Sequence, residues 1–145
     1  MKKIIIEQVK KSSLDVCDAI RNLTIQLDKN YKPLSDNDIK GMINSENCFI
    51  FVARSQNKIV GMTTLILYRI PYTKKAVLED IVVDKEFRGQ GIGTKLIKTA
   101  IVKARDADAF TIDFTSRPNR ESANRLYKKL GFKQRETNVY RLELH

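Results

Sequence analysis

Three glycines stand close together in the segment FRGQGIG, at Gly89, Gly91 and Gly93, whereas the whole chain has only six. The segment follows the apolar run 81–83 and precedes a helix-like run. Glycines let an anion approach backbone N–H groups without Cβ atoms in the way, and the first N–H groups of a helix lack intrahelical partners. Arg88 can add a charge-assisted contact to a phosphate. The segment therefore predicts a site for a phosphate-bearing ligand.

The spacing of these glycines does not fit the two common nucleotide loops. A P-loop requires G-x-x-x-x-G-K-[ST], and a dinucleotide-binding loop requires G-x-G-x-x-G. Counted from Gly89, the last glycine of either pattern falls on Thr94. An acidic residue does follow about 20 residues on, at Asp113, but the glycines before it do not match. A tight strand-to-helix turn that binds nothing is the alternative for this segment taken alone.

The composition fits one folded domain over residues 1–145. Hydrophobic residues make up 42% of the chain, which is enough for one core. No apolar stretch approaches the ~20 residues that a membrane span requires, so we expect no membrane partner. The N-terminus, MKKIIIEQVK, starts like an export signal, but its apolar core, residues 4–6, is too short. We therefore expect a first strand there.

The numbers of cysteines and histidines and the net charge limit the possible classes of function. Cys17 and Cys48 are the only cysteines and His145 the only histidine, which predicts a reduced cytoplasmic protein and argues against a Cys/His metal site. The net charge of +10 suits nucleic acid, an anionic membrane or a polyanionic small molecule, but also a solvated basic surface. Because no helix concentrates basic residues, a nucleic-acid-binding module is a minor alternative.

The apolar pattern predicts the element order β-α-α-β-β-β-α-β-α-β-β. Ser12 or Ser13 caps the first helix, and Ser35 caps the second, with Asp38 completing a capping box. Gly131 suits the position after the last helix, 120–130. The alternation predicts an α/β (α+β) fold with a central mixed sheet and helices on both faces. The expected strands are 3–9, 48–54, 58–70 (after a Gln56-Asn57 turn in which Asn tolerates left-handed backbone), 75–83, 110–115, 132–135 and 138–144.

Two motifs resemble those of the Gcn5-related N-acetyltransferase (GNAT) superfamily. The segment 88–93, RGQGIG, matches the signature R/Q-x-x-G-x-G/A, and the preceding VLEDIVVDKEF resembles the fourth strand of that superfamily. Downstream, ESANRLYKKLGF resembles its second signature. The element order is similar along nearly the whole chain. The resemblance implies a GNAT-like, mostly antiparallel sheet that splays between strands 4 and 5, and it implies acetyl-coenzyme A as cosubstrate, without a metal.

The resemblance also implies which residues bind acetyl-coenzyme A. Backbone groups of Ile81, Val82 and Val83 pair with the pantetheine arm as a further strand would. Many family members place an asparagine near the pantetheine, seven residues before the motif tyrosine. That position is Arg120 here, so Asn119 and Asn124 are both candidates. The pyrophosphate is held by the backbone N–H groups of Arg88, Gly89, Gln90, Gly91, Ile92, Gly93 and Thr94.

The implied chemistry is direct attack of an amine on a thioester carbonyl. The resemblance places Tyr127 as the acid that protonates the leaving thiolate, since a tyrosine pKa is about 10; simple packing is the alternative. The backbone N–H of Val82 or Val83 is the expected oxyanion donor. Glu79 is the preferred base over Asp80, because strand alternation points them to opposite faces unless a bulge intervenes. A salt bridge, or proton loss through water, is the alternative for either carboxylate.

The resemblance thus implies an N-acetyltransferase that moves an acetyl group to a primary amine. The acceptor, a small-molecule or peptide amine, is not identified by any motif. Asp28, Tyr31, Asp36 and Asp38 could attract a cationic amine, although helix caps and solvated surface explain them better. A basic surface argues against a polycationic acceptor. A catalytically silent acetyl-coenzyme A-binding regulator is the alternative, and the segment 132–144 would be the pairing surface of a homodimer.

Overall fold

The structure, a computed structural model, describes residues 2–145. The chain divides into two compact units, one ending at Phe114 and the other comprising Thr115–His145. None of the helices within 2–145 has the length and apolarity needed to cross a bilayer. The elements are β1 Ile4–Gln8, α1 Leu14–Leu27, α2 Asp36–Asn44, β2 Cys48–Ser55, β3 Lys58–Ile70, β4 Thr73–Val83, a 3₁₀ turn Lys85–Phe87, α3 Ile92–Asp106, β5 Thr111–Asp113 and α4 Glu121–Lys129.

The strands of the first unit form one five-stranded sheet in the order β1-β2-β3-β4-β5. The pairs β1–β2, β2–β3 and β3–β4 are antiparallel, and β4–β5 is parallel. The parallel ladder is short: it runs from Lys75 opposite Thr111 to Val77 opposite Asp113, whereas β4 continues to Val83. The predicted mixed, mostly antiparallel sheet is confirmed. The pairing of its fourth and fifth strands stops well before β4 ends.

Helices cover both faces of this sheet. On one face, α1 and α2 pack on β2, β3 and β4 around a buried cluster that includes Ile20, Ile39 and Met62. On the other face, α3 packs closely against Gly61 of β3. A Cβ added at Gly61 would lie only 3.2 Å from Leu96 Cδ1 and 3.3 Å from Ile92 Cγ2. Each fully buried aliphatic side chain contributes about 1.5–3 kcal/mol to folding. Helices on both faces were expected and are present within the first unit.

The predicted caps fix where the first two helices begin. Ser13 Oγ accepts a hydrogen bond from the Val16 N–H at 3.4 Å. Ser35 Oγ accepts from the Asp38 N–H at 3.1 Å, and the Asp38 carboxylate accepts from the Ser35 N–H at 3.4 Å, which completes the capping box. Each cap is worth about 1 kcal/mol. In the second unit, Gly131 follows the end of α4 with φ 100°, as its position predicted.

The predicted hairpin turn between β2 and β3 is present, with its left-handed residue one position earlier than expected. Gln56 has φ 57°, whereas Asn57 had been the residue expected to tolerate this conformation. The pairing of Ser55 with Lys58 leaves a two-residue turn, and a positive φ at its first residue alone is the pattern of a type II′ turn.

The predicted closing strands, 132–135 and 138–144, are not strands in the structure. Their alternating apolar pattern is real, but side chains of this segment are exposed, including Tyr140 at 86%. A strand needs a paired backbone and a face to bury, and within the second unit neither is supplied to this segment. The fifth strand is also shorter than the predicted 110–115. The prediction of two closing strands is therefore wrong, because alternation alone does not provide a pairing partner.

Candidate active site

β4 enters the glycine-rich loop through a turn that several hydrogen bonds hold in place. Asp84 caps the 3₁₀ turn: its Oδ1 accepts from the Glu86 N–H at 3.0 Å, and its carbonyl accepts from the Phe87 N–H at 2.8 Å. The Asp84 N–H donates to the Val60 carbonyl of β3 at 2.8 Å. The start of the loop is therefore fixed to the sheet.

The loop leaves the N-terminus of α3 open. Gly89 and Gly91 have φ 80° and 79°, a left-handed conformation that other residues adopt at a cost. Gly91 is the residue before the first helical turn, and no side chain caps this end. Apart from chain neighbours, no atom of residues 2–145 would lie within 4 Å of a Cβ built on either glycine. The first N–H groups of α3 have no intrahelical acceptor, and with the positive end of the helix dipole they can bind an anion.

Arg88 closes the turn and also carries charge at the loop. Its Nε donates to the Val83 carbonyl at 2.9 Å, while its Nη groups make no hydrogen bond within residues 2–145. The side chain is exposed, so these Nη groups can contact a phosphate. The same bond occupies the carbonyl of Val83, one of the backbone groups that the resemblance assigns to pantetheine. Pantetheine pairing at that carbonyl would have to share it with Arg88.

β4 has a bulge at the pair of carboxylates. The register between β3 and β4 shifts between Met62 and Thr64, so β4 has one extra residue there. Asp80 has φ 56°, and Thr63 Oγ1 donates to the Glu79 carbonyl at 3.3 Å. A bulge interrupts the alternation of side chains along a strand. Because this bulge is present, Glu79 and Asp80 need not face opposite sides of the sheet.

Both carboxyl groups are harder to ionise than a free carboxyl. Desolvation by the surrounding protein, and then repulsion from Asp80, raises the pKa of Glu79. Desolvation raises the pKa of Asp80. Both side chains still reach solvent, and neither forms an ion pair within residues 2–145, so the salt-bridge alternative is not seen. A carboxylate with a raised pKa is a stronger base, and Asp80 has this property as well as Glu79.

The second unit carries the tyrosine of the second motif. Tyr127 lies on α4 and is buried. Burial raises the pKa of its hydroxyl, and the Arg120 charge offsets part of that rise. A phenol with its ordinary pKa of about 10 is already protonated at neutral pH, and the rise makes it a weaker acid, so the pKa shift alone does not favour proton donation. Burial also fits a packing role, so position alone does not decide between the two interpretations.

The segment before α4 holds the two candidate asparagines and an unpredicted serine. Asn124 Nδ2 donates to the Arg117 carbonyl at 3.0 Å, so this amide partly serves the fold. Asn119 is exposed. Ser116 Oγ is buried and has no hydrogen-bond partner within residues 2–145. An unsatisfied buried hydroxyl costs free energy, which marks it as a group that a ligand could satisfy; the only sequence signal was its polar context, TSRPNRES.

The residues considered for binding a cationic acceptor take structural roles in the first unit. Asp36 accepts from Arg21 Nη1 at 2.7 Å, and Asp28 Oδ1 accepts from the Asn30 N–H at 2.9 Å. The Tyr31 hydroxyl accepts from the Leu34 N–H at 2.9 Å. With Asp38 in its capping box, all four are accounted for by caps and loop contacts. The explanation by caps and surface is the better one here.

The sequence is similar to that of known acetyltransferases. Residues 17–132 match the model of the Acetyltransferase (GNAT) family. The human protein N-acetyltransferase 8B is 34% identical over 90 residues, which cover 61% of this chain and 39% of that protein. The chain therefore spans about two fifths of the length of this curated relative.

Solved structures show the same fold at low sequence identity. A putative acetyltransferase from Agrobacterium tumefaciens superposes with a TM-score of 0.85 at 19% identity, covering 96% of this chain and 99% of that one. An aminoglycoside N-acetyltransferase in complex with coenzyme A superposes with a TM-score of 0.84 at 16% identity, covering 100% and 97%. Since the family model covers well over half of the sequence, the chain belongs to the acetyltransferase (GNAT) family.

Proposed function

We propose that the protein is an acetyl-coenzyme A-dependent N-acetyltransferase that acts on a primary amine. The observation that carries this proposal is the open, uncapped start of α3 behind two left-handed glycines, Gly89 and Gly91. This anion site lies at the end of β4, a strand whose ladder with β5 stops at Val77. Membership of the GNAT family supports the same conclusion.

The residues present fit acetyl-coenzyme A. The N–H groups of 88–94, with the Arg88 Nη groups, would hold the pyrophosphate. Backbone groups of 81–83 would pair with the pantetheine arm, and the amides of Asn119 or Asn124 would contact it. The unsatisfied hydroxyl of Ser116 adds a polar group that the sequence interpretation did not include. When bound, acetyl-coenzyme A supplies an acetyl thioester that is open to attack by an amine.

The chain itself moves the protons. Glu79 accepts the proton that the ammonium must lose, directly or through water, and its raised pKa strengthens it as a base. The N–H of Val82 or Val83 donates to the oxygen on which negative charge develops. Tyr127, whose ordinary pKa of about 10 keeps its hydroxyl protonated at neutral pH, donates that proton to the thiolate as it leaves. Asp80 can replace Glu79 as the base because the bulge frees its orientation.

The acceptor class is a small-molecule amine. The aminoglycoside N-acetyltransferase that shares this fold takes its name from such an acceptor. The match to the family model, residues 17–132, extends across the boundary at Phe114, which supports treating both units as one catalytic domain. Cys17 and Cys48 are free thiols, which supports a reducing compartment such as the cytoplasm.

Calorimetry with acetyl-coenzyme A, followed by thiol release over a panel of amines, tests the proposal. The panel includes aminoglycosides, polyamines, amino acids and peptide N-termini. We expect saturable binding and amine-dependent release of coenzyme A. Absence of binding at millimolar ligand would refute the proposal. Binding without thiol release for any amine would instead indicate a silent regulatory binder.

A further inference from the structure

One side chain of α1 reaches the turn that precedes the glycine-rich loop. Gln26 lies in the last turn of this helix, and its Oε1 accepts a hydrogen bond from the Lys85 N–H at 2.9 Å. Within residues 2–145, no other side chain from outside the segment 84–91 hydrogen-bonds to the backbone of that segment. The contact joins residues 59 apart in sequence. It connects the helix directly to the entrance of the proposed pyrophosphate site.

The other contacts of the turn do not duplicate this hydrogen bond. Lys58 Nζ lies 3.8 Å from Asp84 Oδ2 and 5.4 Å from the centre of the Phe87 ring, but Lys58 is exposed, and exposed contacts of this kind are weak. The backbone bond to Val60 holds Asp84 at the end of β4. Beyond Asp84, the hydrogen bond between the turn and α1 among residues 2–145 is the one that Gln26 accepts.

A surface cavity of about 610 Å³ borders the same contact. Its walls come from α1, the β2–β3 turn and residues 84–86, and both Gln26 and Asn22 line it. Because the wall is open here, close packing does not reinforce the position of the turn as it would in a core. Loss of the Gln26 acceptor would therefore leave the Lys85 N–H without a replacement partner from the protein.

We infer that Gln26 is a positioning residue for the pyrophosphate loop. It holds the turn 85–87 in the arrangement from which the N–H groups of 88–94 face the ligand, and this role rests on the proposed function. Without the bond, binding acetyl-coenzyme A would also have to order the turn, and that cost weakens affinity. Gln26 does not touch the reacting atoms, so its effect is on cofactor affinity.

The test compares three variants of the full chain by calorimetry with acetyl-coenzyme A. Gln26→Met keeps the length of the side chain and removes the acceptor, so we expect Kd to rise about 3- to 10-fold. Gln26→Glu keeps an acceptor oxygen at the same reach and should stay within about threefold of wild type. Asn22→Ala alters the same cavity wall one turn earlier, without touching the hydrogen bond, and should leave Kd unchanged.

A second measurement separates positioning from general destabilisation. Hydrogen exchange should show faster exchange of the Lys85 amide in Gln26→Met, with the melting temperature of the unliganded protein changed by no more than about 2 °C. An unchanged Kd for Gln26→Met, an equal loss in Asn22→Ala, or no rescue by Gln26→Glu would overturn the inference. Failure of wild type to bind acetyl-coenzyme A would overturn the proposed function itself, and the inference with it.

Discussion

Gly91→Ala tests whether the left-handed glycine before α3 exists for a ligand. Gly91 has φ 79° and ψ 12°, a conformation that costs a residue with a Cβ about 1–2 kcal/mol. Apart from its neighbours in the chain, none of residues 2–145 has an atom within 4 Å of the added Cβ, so no clash with distant residues adds to the cost. The expected loss of stability is therefore the conformational strain alone. Thermal unfolding should show a melting temperature about 3–8 °C lower than that of wild type.

The effect of Gly91→Ala on binding should exceed this strain. Under the proposed function a phosphate oxygen binds at the first N–H groups of α3, and a methyl group on the residue before them would hinder its approach. Losing one hydrogen bond to a charged group costs about 1.5–3 kcal/mol, which raises Kd for acetyl-coenzyme A about 10- to 150-fold. Calorimetry below the melting transition of the variant measures this change separately from stability.

Gly41→Ala is the matched control for the same chemical change. Gly41 lies inside α2, and a Cβ there also meets nothing within 4 Å. Since glycine is unfavourable within a helix, this variant should gain about 0.5–1 kcal/mol of stability and keep the wild-type Kd. If Gly91→Ala bound acetyl-coenzyme A as tightly as wild type, the assignment of the loop as a phosphate cradle would be refuted.

Four further substitutions address the chemistry and the fold. Tyr127→Phe should lower kcat about 100-fold or more with Kd for acetyl-coenzyme A unchanged, and unaltered turnover would remove Tyr127 from its acid role. A base is active when deprotonated, so kcat/KM should rise with pH through an apparent pKa above the ordinary value of 4.5 for Glu79. Glu79→Gln should abolish this rise of kcat/KM with pH. If instead only Asp80→Asn abolished the rise, Asp80 would be the general base. Gly61→Ala should cost about 1–3 kcal/mol in urea unfolding, because its Cβ would crowd Leu96 at 3.2 Å; full stability would show that α3 can shift away from the sheet.

Local signals explain which elements could be predicted from the sequence. Ser13 and Ser35 begin their helices because a side-chain oxygen can satisfy an N–H group only a few residues on. The limits of β3, 58–70, agree with the prediction because a turn precedes the strand and a proline follows it. Gly131 has the positive φ that its position after α4 predicted. In each case, the residues that determine the structure are neighbours in the chain.

The features that escaped prediction depend on contacts between distant parts of the chain. The bond between Gln26 and Lys85 joins two elements whose approach no local pattern encodes. The bulge at Asp80 results from the pairing of β4 with β3, so the sequence could only name it as a condition. The segment 132–144 has the alternation of a strand, but propensity does not create a pairing partner.

The short ladder between β4 and β5 has a consequence for the behaviour of the unliganded protein in solution. Up to Val77, β4 is an interior strand, and from there to Val83 its only strand partner in the described part of the chain is β3. An unpaired strand edge is a template for aggregation, which charged side chains and bulges suppress. This part of β4 has both features: the charged side chains of Glu79 and Asp80, and the bulge in its pairing with β3. The carboxylates proposed for proton transfer would thus also hinder neighbouring molecules from adding a strand beside β4, where we propose that the cofactor binds.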